Sequence, residues 1–105
     1  MRLTSFLQEE TLTIALTGEI DHHCAKEYIQ TITSKIEVYA PNLCILDFQD
    51  VTFMDSSGIA VVINAFRLMT KMEGTLEIAG LGAQPMKVFR ASGIDKLINI
   101  KEEVK

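Results

Sequence analysis

Two short polar segments hold the residues whose types and spacing could do chemistry. The first is Asp55-Ser56-Ser57-Gly58, which follows the apolar run of residues 46–54 and precedes a helical stripe of apolar residues. A hydroxyl placed there sits at a helix N-terminus, where backbone N–H groups lack intrahelical partners and the helix dipole is positive. A phosphate esterified to Ser56 or Ser57 would be tolerated electrostatically at such a position. A hydroxyl is also a favoured N-cap, which by itself accounts for one serine of the pair. Gly58 removes a side chain from the side on which another protein would approach. Asp55 repels a neighbouring phosphate, so a phosphoserine here would be a stored-charge state felt by its neighbours.

The second segment is Asp21-His22-His23, just ahead of another helical stripe. Asp21 reads as a cap or turn residue, and two adjacent histidines cannot easily close on one metal ion from a short loop. No metal site is expected. Serine-nucleophile chemistry at a strand-to-helix elbow reads GxSxG, and Met54-Asp55-Ser56-Ser57-Gly58 lacks the first glycine. There is no GxxxxGK[ST] phosphate loop, and Gly80-Leu81-Gly82 is too short for a dinucleotide fingerprint. Asp47 near the end of an apolar strand suggests a receiver-like phosphoaspartate, but the acidic pair that would hold Mg²⁺ after the first strand falls here, as Glu9-Glu10, at the turn of a hairpin, and the chain opens strand-strand instead of strand-helix. The residues therefore predict neither an enzyme nor a bound cofactor.

The elements that must position these segments follow from periodicity. Residues 3–8 form a short strand, Glu9-Glu10 a turn, and residues 11–17 a second strand with Leu12, Ile14 and Leu16 on one face and threonines on the other. Gly18 is expected to end that strand, with residues 19–23 as a loop. Ala25, Tyr28, Ile29, Ile32, Ile36 and Tyr39 recur at helical spacing until Pro41. Residues 43–48 are nearly continuous in apolar side chains, as in a central strand. From Ser57 to Glu73 a stripe of Ile59, Val62, Ile63, Phe66 and Met69 marks a helix that Gly74 stops. Residues 75–80 form a further strand, and Pro85 opens a last helix that ends at Gly93. The tail from Ile94 has no clear period. The order β-β-α-β-α-β-α predicts an α/β fold, a mixed sheet with helices packed on it. If the second and central strands are neighbours, Asp21 and Ser56 share one rim at their C-terminal ends.

Composition bounds the rest. A chain of 105 residues with 48% hydrophobic content predicts a single domain over residues 1–105 with one modest core. With 14 acidic against 10 basic residues and a net charge of −4, the surface is not suited to nucleic acid or to an anionic membrane, and protein partners fit better. Cys24 and Cys44 lie among apolar residues outside any CxxC pattern and read as buried structural thiols. Acidic residues come too early for a secretory signal, and no apolar run approaches membrane-spanning length, so a cytoplasmic setting is expected.

Taken together, the chain resembles the STAS domain family, and within it the anti-sigma factor antagonists of bacterial partner switching. The resemblance rests on Phe53-Met54-Asp55-Ser56-Ser57-Gly58, which is similar to the family's phosphorylation motif. It rests also on Leu16-Thr17-Gly18-Glu19-Ile20-Asp21-His22-His23, similar to the loop of the sporulation sigma-F branch, and on Ser92-Gly93-Ile94. It implies a STAS fold with a mixed four- to five-stranded sheet. It implies that Ser56 is phosphorylated by an anti-sigma factor that is a serine kinase, and that Asp21, Asp55, Ser57 and Gly58 face the partner, Ser57 also serving as cap or packing serine. A serine phosphatase would reset the cycle, and ATP would belong to the kinase. A non-switching STAS module of another signalling complex, of stress-response type, is the alternative.

Overall fold

The computed structural model describes residues 2–101. Two strands, β1 (Arg2–Gln8) and β2 (Thr11–Ile20), form the opening hairpin, followed by α1 (Ala25–Tyr39), β3 (Leu43–Met54), α2 (Ser57–Lys71), β4 (Thr75–Ala79), α3 (Ala83–Ser92), a 3-10 turn at Ile94–Lys96 and β5 (Asn99–Lys101). The strands lie in the spatial order β1-β2-β3-β4-β5. β1 pairs antiparallel with β2, and the three later pairings are parallel. Each parallel step advances one strand in the same direction, so crossovers of one hand deposit every helix on the same face.

That face is the core. Leu12, Ile14 and Leu16 of β2, Cys44, Leu46 and Phe48 of β3, and Leu76 and Ile78 of β4 are buried against Tyr28, Ile32 and Ile36 of α1 and Val62, Ala65 and Met69 of α2. The stripe read from residues 57–73 packs as expected at Ile59, Val62 and Met69. Ile63 and Phe66 sit at its partly buried margin. α3 is seated on β3 by Phe89, whose ring meets Phe48 edge-on with centroids 5.7 Å apart at 86°, an arrangement worth about 1 kcal/mol beyond burial.

Four local expectations are corrected. β2 does not stop at Gly18: that glycine takes φ 90° inside a register shift, and the strand resumes through Glu19 to the buried Ile20. Such a bulge needs the left-handed region that a residue without Cβ enters freely. β3 likewise runs on past Phe48 to Met54, because the extended β2 offers it a partner, Ile20 opposite Met54. Pro85 is the third residue of α3, not the first. The tail carries an element after all, since β5 adds a fifth strand beside β4, with Lys101 paired to Glu77 at 3.1 Å.

Candidate functional site

The extensions of β2 and β3 decide where the two polar segments lie. Their last registered pair is Ile20 and Met54, and the Asp55 N–H donates to Ile20 O at 3.1 Å. Asp21 and Asp55 therefore leave adjacent strands one residue beyond the same rung, and the expected shared rim of Asp21 and Ser56 is present.

At the start of α2, Ser56 is exposed and occupies the N-cap position with φ −63° and ψ −17°, yet its hydroxyl makes no capping bond. The capping acceptor is Asp55, whose Oδ1 takes the Ser57 N–H at 2.8 Å. Neither serine caps the helix through its side chain, because the carboxylate one residue earlier reaches the first helical N–H instead. The next two N–H groups are also engaged, Gly58 with Asp55 O at 3.0 Å and Ile59 with Ser56 O at 3.1 Å. The expected row of unpaired donors is thus largely filled, and a phosphate on Ser56 would find the helix dipole there but few vacant N–H groups.

Gly58 does not open an approach side. It is buried, and a Cβ built on it would fall on Met54 Cγ and Sδ. Its missing side chain makes room for Met54 under the helix. Ser57 is half-buried beside it.

Asp21 organises the neighbouring loop. Its Oδ1 accepts the N–H of His23 at 3.0 Å and of Cys24 at 3.3 Å, and its carbonyl accepts the N–H of Ala25 at 3.0 Å, leading into α1. Partial desolvation pushes the carboxyl up, but the His23 N–H, the Cys24 thiol and N–H and the nearby His23 ring together outweigh it and hold Asp21 below the usual carboxylate range. His22 and His23 are exposed, with rings 4.0 Å apart. Cys24 is half-buried on this rim and not in the core, its thiol donating to Glu19 O at 3.4 Å. Among the described residues no group of three His, Cys, Asp or Glu is placed to hold a metal ion.

One residue of the rim escaped the sequence reading. Gln84, in the first turn of α3, accepts the Met54 N–H at 2.8 Å through Oε1 and donates through Nε2 to Met54 O at 2.7 Å. No local pattern announces a contact across thirty positions. Residues 18–24 and 53–58, at the paired ends of β2 and β3, and Gln84, which joins them at Met54, include no Lys or Arg. A recess of about 440 Å³ lies at the far end of β2, between Phe6, Glu9, Thr13 and Ile45, away from Ser56.

Comparison with known proteins agrees with this geometry. Residues 7–105 match the model of the STAS domain, and the chain belongs to that family. Relatives of this chain include anti-sigma factor antagonists. The anti-sigma F factor antagonist of Lysinibacillus sphaericus is 31% identical over 85 residues, 81% of this chain and 73% of that protein. The anti-sigma-B factor antagonist of Listeria monocytogenes is 29% identical over 93 residues, 86% of this chain and 78% of that one. The solved antagonist SpoIIAA is 28% identical in both of its forms. The unphosphorylated form gives a TM-score of 0.82 with 97% of this chain and 90% of that one covered. The phosphorylated Bacillus form gives 0.73 with 97% and 93% covered. The mixed five-stranded sheet with its three helices is the STAS fold, as the resemblance implied.

Proposed function

We propose that this chain is an anti-sigma factor antagonist switched at Ser56. Unphosphorylated, it binds an anti-sigma factor that is itself a serine kinase, and a sigma factor is released. Transfer of a phosphoryl group from the kinase's ATP to Ser56 Oγ ends that binding, and a serine phosphatase restores it. The chain acts as one STAS domain over residues 1–105, in the cytoplasm, with protein partners and without catalysis of its own, nucleic-acid contact or membrane attachment. The relatives span sigma-F and sigma-B antagonists, and the Asp21-His22-His23 loop favours the sporulation branch.

The observation that carries the reading is the exposed Ser56 hydroxyl with no capping bond, while Asp55 does the capping. A serine whose role was only to start a helix would use that hydroxyl. The same geometry supplies the switch. Phosphorylation adds roughly −1.5 to −2 charge, beside Asp55, on a rim without Lys or Arg and with the first-turn N–H groups already engaged. Asp21 and Ser57 frame the surface that the partner covers, and Asp21 and Asp55 are its charged members. In a desolvated interface, uncompensated charge of this size costs several kcal/mol; about 4 kcal/mol weakens binding on the order of a thousandfold.

The test is intact-mass and site mapping after incubation with the candidate kinase, Mg²⁺ and ATP, with Ser56→Ala in parallel. One phosphoryl group on Ser56, absent from Ser56→Ala, is expected. Ser56→Asp should lose kinase binding by about a thousandfold while its thermal midpoint stays near wild type, since acidic residues suit a helix start. No phosphorylation by an active kinase, or unchanged binding by Ser56→Asp, would leave the non-switching module as the reading.

A further inference from the structure

β3 outruns its neighbour on one side. Its pairing with β4 ends at Asp47 opposite Ala79, whereas its pairing with β2 continues to Met54 opposite Ile20. In an extended strand the N–H and C=O of one residue point to the same side, and successive residues alternate. Asp55 directs its N–H to β2, at Ile20 O. Met54 therefore directs both of its backbone groups to the side that β4 has vacated.

Gln84 fills that position. A glutamine amide carries an acceptor and a donor, as a peptide group does, and both are used on one residue, Met54, at 2.8 and 2.7 Å. The side chain replaces the missing strand for one rung, at the last strand residue before Asp55 and Ser56. Both groups are half-buried, so an unpartnered Met54 peptide would be left without full hydration. The other end of the link is firm. Gln84 precedes the buried Pro85, and α3 is held on β3 by Phe89 against Phe48.

We infer that Gln84 is a positioning residue of the switch: its amide fixes the Met54 peptide and thereby the direction in which Ser56 is presented to the kinase, tying the start of α3 to the phosphorylated loop. This rests on the reading of Ser56 given above. Gln84 touches neither Ser56 nor Asp55 by hydrogen bond and acts through the backbone between them.

The test compares wild type with Gln84→Leu, which keeps the apolar stem and loses both polar atoms, and with Gln84→Glu, which keeps an acceptor and loses the donor until it is protonated. In the absence of any partner, Gln84→Leu should speed hydrogen exchange at the Met54 N–H at least tenfold, with Leu46 in the core unchanged. In Gln84→Glu the carboxylate still accepts the Met54 N–H but repels Met54 O, so the excess exchange should be smaller than in Gln84→Leu and, taken as a ratio to wild type at each pH, should shrink toward one as the pH falls through about 4, where the neutral acid regains the donor. With the kinase, Gln84→Leu should lower kcat for Ser56 phosphorylation at least tenfold and leave KM within about twofold. A rise in KM alone would make Gln84 a contact residue and overturn the inference, as would Met54 exchange or kcat equal to wild type. If Gln84→Leu does not fold, absence of the acid rescue in Gln84→Glu overturns it equally. A wild-type chain that takes no phosphate from an active kinase defeats the reading of Ser56 and, with it, this role of Gln84, although Met54 exchange still reports the clamp.

Discussion

Asp55 and Ser56 divide two tasks that one hydroxyl often combines at a helix start. The carboxylate takes the Ser57 N–H and holds the first turn, which leaves the serine exposed and chemically available. The division separates stability from switching, and the separation is measurable. Asp55→Ala should lose about 1 kcal/mol of unfolding free energy in urea, as removal of an N-cap acceptor does. Ser56→Ala should stay within about 0.5 kcal/mol of wild type, and Asp55→Asn, which keeps an acceptor, should recover most of the loss. Equal losses in Asp55→Ala and Ser56→Ala would show that the serine shares the cap after all. The sequence alone could not divide these roles, because aspartate and serine are both good caps and stand side by side. The position of the pair at a strand end was legible; the hydrogen bond that chooses between them was not.

Among the elements, those with a sustained period were readable and those set by one residue or by a distant partner were not. Leu12, Ile14 and Leu16 alternate as a strand must when one face is covered, and the stripe of α2 returns every third or fourth residue. Gly18 reads locally as a terminator, yet the pairing of β2 with β3 on both sides of it turns it into a bulge. β5 has three residues, too few to show alternation. Gly58 was misread for a related reason: sequence shows that a side chain is missing but not which neighbour needs the space. That neighbour is Met54, beneath the first turn of α2. Gly58→Ala should therefore cost about 1–3 kcal/mol by overpacking, and the cost should depend on Met54. In a double-mutant cycle with Met54→Ala, denaturant unfolding should give a coupling of at least about 1 kcal/mol, since the shorter side chain vacates the contact. Additive losses would place the strain in the helix backbone and not at Met54.

For the molecule as a whole, one ionisable group reports on the integrity of the core. Cys44 lies on the central strand with no exposed surface, and burial pushes its thiol from 9.0 up to about 12. In the unfolded chain the same thiol ionises near its ordinary value. Between roughly pH 9 and 12 the unfolded state therefore loses a proton that the folded state keeps, and stability falls as pH rises, by at most about 1.4 kcal/mol per pH unit. Below pH 9 both states hold the proton and the effect is absent. Cys44→Val removes the titration while keeping an apolar side chain of similar size, so the two proteins should differ in slope across the alkaline range even if their stabilities at pH 7 differ slightly. Urea midpoints measured from pH 7 to 11 give both slopes, and tyrosine and lysine ionisations cancel in the comparison. The thiols should also separate chemically at pH 8. The half-buried Cys24 on the rim should react with an alkylating reagent in the native state, and Cys44 should react only at the rate of global opening, accelerated by urea in proportion to unfolding. A Cys44 that alkylates as fast as Cys24 in native buffer would mean that the central strand opens locally, and the packing of α1 and α2 over it would then have to be loose enough to admit reagent.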